Sequence, residues 1–209
     1  MRDPAQAADE PIRPAATVVL WRNSAAGYQV LMGQRGHSAV FMPSKYVFPG
    51  GGVDAIDTNH ATLAGFTRQC IDRLHMNCPA GAPDPGTLAA AALRELAEET
   101  GLSLPDLAPG SLRFIFRAIT PPGRSRRFDA RFFLASAAAI TGDAEDFSAA
   151  STELSHLHWI GLSDARALDL PFITEVVLAE VTAMLGGHDQ PGVPFFDNSG
   201  NVPTFRRLG

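Results

Sequence analysis

Arg94-Glu95-Leu96-Ala97-Glu98-Glu99-Thr100-Gly101-Leu102 crowds three carboxylates onto what reads as a single helix. Residues three and four apart are neighbours on a helix, so Glu95, Glu98 and Glu99 share a face, and like charges at that spacing weaken the helix that carries them. A hard divalent cation with a preference for oxygen would reverse that sign. Leu88, Ala92 and Leu96 form an i, i+4 stripe for the core on another face, Thr87 is the expected N-cap, and Gly101 ends the helix. The acidic helix is therefore expected to be amphipathic and anchored.

Upstream, Tyr46-Val47-Phe48 leads into Pro49-Gly50-Gly51-Gly52, a loop whose glycines let the backbone approach a ligand and offer carbonyl oxygens. Thr17–Trp21 and Tyr28–Met32 read as two strands at hairpin distance. From Ala61 to Met76, Leu63, Phe66, Cys70, Ile71 and Leu74 recur at helical spacing, and three prolines with two glycines break the pattern over 77–86. Leu112–Ile119, Phe128–Leu134 and Leu154–Ile160 read as further strands. A short helix near Ser163–Leu168 and a longer one over Phe172–Leu185 follow. The expected organisation is a flexible N-terminus over 1–15, one domain over 16–187 with an inserted helix at about 60–84, and an extended tail over 188–209.

Of the 209 residues, 45% are hydrophobic and 19% charged, enough apolar content for a substantial core. A net charge of -5 provides no general basic field, so no nucleic-acid partner is expected. Cys70 and Cys78 are too few for a disulfide framework, and with His60 and His75 they do not make a zinc pattern. No apolar run approaches a membrane span and residues 1–15 lack an apolar core segment, so a soluble, cytoplasmic protein is expected, without a membrane partner.

Gly51-(x5)-Asp57 together with Arg94 to Leu102 resembles the two halves of the Nudix box, Gx5Ex7REUxEExGU, where U is a bulky apolar residue. The second half matches at every specified position. The first half has Asp57 where the pattern has Glu, and 36 residues stand where the pattern has seven. The interruption, with Phe41-Met42-Pro43 before the glycine loop and Arg127 to Phe133 after the box, resembles the Nudix branch that includes a peroxisomal coenzyme A diphosphatase. The resemblance implies an α/β/α sandwich with a mixed β-sheet and a helical insertion in the box. It also implies a hydrolase for the diphosphate linkage of a nucleoside diphosphate derivative, with coenzyme A or an acyl-CoA as the specific expectation. ADP-ribose, NADH, nucleotide sugars and dinucleoside polyphosphates remain open, as does a nucleotide-binding sensor without turnover.

By the same resemblance Glu95, Glu98 and Glu99 bind Mg²⁺ or Mn²⁺ with a carbonyl from the Gly50 and Gly51 loop, Arg94 orients Glu95, Asp57 pairs with Arg94, and Glu95 or Glu99 serves as base. Glu153, just before a predicted strand, either completes the metal shell or acts as base, or else is a surface residue. On a strand Arg127, Asp129 and Arg131 share one side, so the arginines either meet substrate phosphates or line a solvated face. Arg35 is a further phosphate contact or a surface charge. His156 and His158 carry no assigned role. The apolar face of the inserted helix leaves two expectations, a lid over a small-molecule diphosphate substrate or a subunit interface in a homodimer.

Overall fold

The computed structural model describes residues 10–200 and 202–209. β1 (Ile12–Ser24) and β2 (Gly27–Arg35) form an antiparallel hairpin in register from Trp21↔Val30 to Ser24↔Gly27. Gly27 turns it at φ 104°, a conformation that costs glycine little. β3 (Tyr46–Val47) pairs with β2, and β4 (Gly50–Gly52) pairs with Ala15–Thr17 of β1. β5 (Arg113–Ile119), β6 (Arg127–Ser136), β7 (Leu154–Gly161), β8 (Val193–Asp197) and β9 (Thr204–Leu208) complete the sheet. Its order is β3-β2-β1-β6-β5-β8-β9, with β4 added on β1 and β7 on β2. The β1–β6 and β5–β8 pairs are parallel and the others antiparallel, the expected mixed sheet.

Helices cover both faces. Val18 and Leu20 of β1 point to one side, where α1 (Arg68–His75) and α2 (Pro85–Thr100) bring Cys70, Leu74, Leu88 and Leu96. Val19 points to the other, where α4 (Phe172–Leu185), preceded by the single turn α3 (Leu162–Ala165), brings Val177, Leu178 and Val181. Each fully buried aliphatic side chain among these contributes about 1.5–3 kcal/mol. Among the described residues no helix is long and apolar enough to cross a membrane.

Several boundaries differ from those read in the sequence. The sheet begins at Ile12, inside the segment expected to be flexible up to residue 15, because Ile12–Ala16 pairs with Arg127–Arg131 of β6. Residues 1–9 of that segment lie outside the described residues. The tail expected over 188–209 contributes β8 and β9, and Val193, Phe195 and Leu208 enter the core. Pro191, Pro194 and Pro203 masked that strand pattern. The helix expected over Ala61–Met76 exists only as α1, because Thr67 leaves helical geometry and its hydroxyl caps the Cys70 amide at 3.2 Å. Phe66, Cys70 and Leu74 pack into the chain's own core, whereas Leu63 of the same expected face is exposed. Asp84 caps α2 in place of Thr87: its carboxylate accepts from the Thr87 amide at 3.0 Å, with Pro85 opening the first turn.

Candidate active site

The box is assembled around the Arg94 guanidinium. Nε and Nη2 donate to the two oxygens of Asp57 at 2.8 and 3.1 Å, Nη2 also donates to the Gly52 carbonyl at 3.0 Å, and Nη1 donates to Glu95 at 2.9 Å and Glu98 at 3.1 Å. The short Asp57 side chain reaches because the insertion opens with a 3₁₀ turn, Ala55–His60, that carries it against α2 and leaves it 1% exposed. Burial pushes the Asp57 carboxyl up, but the Arg94 hydrogen bonds, the Asp54 amide and the nearby positive charge hold it below the usual carboxylate range. Its hydrogen bond to Asp57 is the main reason Arg94 holds its proton even more firmly than usual. Sequence reasoning did not single out the Gly52 carbonyl; the third glycine of the run is its only signal there.

Glu99 lies 1% exposed at the centre of the site. Its Oε2 accepts from the Gly50 amide at 2.7 Å, and its Oε1 is buried with no hydrogen-bond partner. Burial, with Glu95 and Glu153 nearby, pushes its carboxyl up to about 8, against the pull of the Gly50 amide and Arg35. Glu95 is also raised, chiefly by burial, with Arg94 opposing and Glu98 and Glu153 adding. The glycine loop is shaped around these groups. A Cβ on Gly51 would lie 2.3 Å from a Glu95 carboxylate oxygen, and one on Gly50 would lie 2.6 Å from the Ala16 carbonyl oxygen and the Thr17 Cα.

Two residues from outside the box come alongside it. Arg35 Nη2 donates to Glu153, the residue before β7, at 2.8 Å, and both lie near enough to Glu99 to bear on its carboxyl. The Ser151 amide donates to the Glu98 carbonyl at 2.8 Å, and Ala149 packs where Gly101 ends α2. The segment bearing Glu153 is thereby docked on the box helix.

The donor set suits a hard divalent cation: clustered carboxylates, one of them with a buried oxygen lacking any partner. Among the described residues no three acidic or metal-ligating side chains already converge as a cage. The geometry gives the reason, since Arg94 Nη1 holds Glu95 and Glu98 on itself, and Glu98 is largely exposed. The residues fit a cation that would compete with the guanidinium for the exposed Glu98.

Arg127 and Arg131 correct the expectation of phosphate contacts. They are 5% and 1% exposed. Arg127 donates to the carbonyls of Thr120 and Asn198, while Arg131 and Arg117 both bind Asp129. Arg117 also donates to the carbonyls of Met76 and Asn77 at 3.1 Å, and Arg131 reaches the Cys78 sulfur at 3.6 Å. Arg117 and Arg131 hold the segment between α1 and α2 onto the sheet. His158 sits edge-on to Tyr46 and its ring nitrogen lies 2.7 Å from the His156 carbonyl.

The NUDIX domain family matches residues 66–181, a span that begins beyond Asp57 and contains the complete second half of the box. A crystal structure of a NUDIX hydrolase from Alicyclobacillus acidocaldarius is 27% identical, with a TM-score of 0.63 over 82% of this chain and 91% of its own. The NUDIX domain of Shewanella oneidensis NrtR, solved with ADP ribose, is 16% identical, with a TM-score of 0.56 over 88% and 94%. A C. elegans Ap4A hydrolase in a binary complex is 18% identical, with a TM-score of 0.53 over 84% and 99%. The chain belongs to the Nudix family and is a Nudix hydrolase.

Proposed function

We propose, with that membership as premise, that the protein hydrolyses the diphosphate linkage of a nucleoside diphosphate derivative, coenzyme A or an acyl-CoA first among them. The observation that carries the reaction class is the partnerless buried oxygen of Glu99 beside Glu95, on a helix whose carboxylates lie directly against the glycine loop. Coenzyme A is favoured by the interrupted box, in which residues 58–93 separate Asp57 from Arg94.

Glu95, Glu98, Glu99 and Glu153, with the Gly51 carbonyl, would hold Mg²⁺ or Mn²⁺. A divalent ion bound there supplies charge neutralisation on the diphosphate and a more acidic water. Glu95 or Glu99 takes the proton of the water that attacks phosphorus, and the other phosphate departs as leaving group. Arg94 keeps the Glu95 carboxylate directed at the glycine loop, and Asp57 fixes Arg94 by a two-pronged hydrogen bond. Arg35, held by Glu153, is placed to meet a phosphate oxygen when the pair opens.

The test is a diphosphate panel with Mg²⁺ or Mn²⁺, including coenzyme A, ADP-ribose, NADH, a nucleotide sugar and a dinucleoside polyphosphate. Coenzyme A is expected to yield 3′,5′-ADP and 4′-phosphopantetheine. Turnover of ADP-ribose or NADH without coenzyme A rejects the substrate but keeps the reaction; no turnover of any member favours a nucleotide sensor.

A further inference from the structure

The fold treats the two cysteines of the chain in opposite ways. Cys70 is enclosed in the core on α1, its sulfur donates to the Leu112 carbonyl at 3.9 Å, and burial pushes its thiol up to about 11. Cys78 is half-buried on the turn between α1 and α2, where Asn77, Pro79 and Ala80 are exposed. Its thiol donates to the Leu74 carbonyl at 3.1 Å, and the same sulfur accepts from Arg131 Nη2 at 3.6 Å.

The arginine against that sulfur is incompletely satisfied. A guanidinium presents Nε and Nη2 as one edge, a fork that matches two oxygens of a single anion. Arg94 uses that edge on both oxygens of Asp57, and Arg117 uses it on both oxygens of Asp129, at 2.8 Å each. Arg131, 1% exposed, turns Nη1 to Asp129 instead, meeting its carboxylate and its backbone carbonyl at 2.9 Å. The fork of Arg131 is left with one sulfur on Nη2 and, among the described residues, nothing on Nε. Charge points the same way, because Arg117 and Arg131 are both buried and share the single carboxylate of Asp129. A buried charge without a full partner is costly, and what would complete this one is an anion with two oxygens at the position of the Cys78 sulfur.

We propose that Cys78 is a modification site, oxidised by hydroperoxides through the sulfenate to the sulfinate, whose two oxygens occupy the Nε and Nη2 edge of Arg131. In the first step the sulfur attacks the outer oxygen of the hydroperoxide and the O–O bond breaks. The departing alkoxide takes the thiol proton and leaves as the alcohol, or as water from hydrogen peroxide, and the sulfenic acid releases its own proton to solvent. The second step adds another oxygen in the same way; each oxidises the sulfur by two electrons and reduces one peroxide bond. The oxidised sulfur gives up the hydrogen that bonds Leu74 and gains two acceptors for Arg131, fastening a turn whose Met76 and Asn77 carbonyls already accept from Arg117. The site is independent of the carboxylates of the box.

The experiment reads thermal unfolding of the full chain. Cys78→Asp sets a carboxylate where the sulfinate would stand, and Cys78→Asn is its uncharged counterpart. Cys78→Asp is expected to melt about 2–4 °C above Cys78→Asn, and the gap should close in an Arg131→Lys background, which keeps the charge and lacks the fork. Cys78→Asp melting at or below Cys78→Asn overturns the role of Arg131, and that pair decides even where Arg131→Lys does not fold. In the wild type, hydrogen peroxide should add oxygen to the Cys78 peptide and not to the Cys70 peptide by mass, with dimedone trapping the first intermediate at Cys78 alone. The oxidised protein should melt higher than the reduced one. Modification of Cys70 first or equally, a Cys70–Cys78 disulfide, no reaction at Cys78, or a lower melting temperature after oxidation sinks the proposal.

Discussion

Two clusters of arginine and acid sit on the same sheet, and they are unbalanced in opposite directions. Around Arg94 one guanidinium faces Asp57, Glu95 and Glu98, with Glu99 beside them, and a buried carboxylate oxygen has no partner. Around Asp129 one carboxylate faces two guanidiniums, and the Nε of Arg131 is the atom without a partner. The second cluster is closed: backbone carbonyls of the insertion take up Arg117, whose guanidinium also lies 4.3 Å over the Phe195 ring. The first is open on the Glu98 side. Acid in excess at an opening invites a cation, whereas base in excess under a lid of carbonyls fastens one part of the chain to another.

The comparison breaks first at Asp129. Its replacement by Ala leaves two buried guanidiniums facing each other and should cost about 3–5 kcal/mol of stability. Urea unfolding measures it, and a loss below about 1 kcal/mol would mean that the cluster is not what secures the insertion. Next, Glu99→Gln and Glu98→Gln should each lower turnover by on the order of 100-fold or more, the scale of losing one positioned electrostatic group. Circular dichroism should remain native, and EDTA should abolish wild-type activity in a way that Mg²⁺ or Mn²⁺ restores; activity insensitive to both manipulations removes the metal from the scheme. Gly51→Ala sharpens the point, because the new methyl displaces the Glu95 carboxylate without meeting backbone. Turnover should drop on the order of tenfold with little change in melting temperature, whereas Gly50→Ala, which meets the backbone of Ala16 and Thr17, should destabilise the fold by about 1–3 kcal/mol. Smallest is Asp84→Ala, which removes the cap of α2 and should cost about 1 kcal/mol while sparing the chemistry.

The same contrast marks what could be read in the chain. The box helix was legible because its spacing, its apolar stripe and its terminal Gly101 agree with one another, and Gly101 indeed ends it at φ 76°. Strand alternation correctly put Arg127, Asp129 and Arg131 on one side of β6 and Phe128 and Phe132 on the other. It could not say that both sides are covered, and in a sheet flanked by helices the polar side of a strand is not the wet side. The buried partners of Arg131 come from Asp129 and, across the insertion, Cys78, a pairing that no local pattern announces. Asp57 succeeded as a short substitute for glutamate because a 3₁₀ turn moved its backbone, and turns of that kind have no strong sequence signature. β8 and β9 stayed hidden behind prolines and short runs.

The bond from the Ser151 amide to the Glu98 carbonyl bears on how portable this chemistry is. A transplant of the glycine loop and α2 into another scaffold would leave that carbonyl bare and the carboxylate of Glu153 behind. The smallest transferable module therefore includes 149–153, and chimaeras of related chains should be cut outside that boundary.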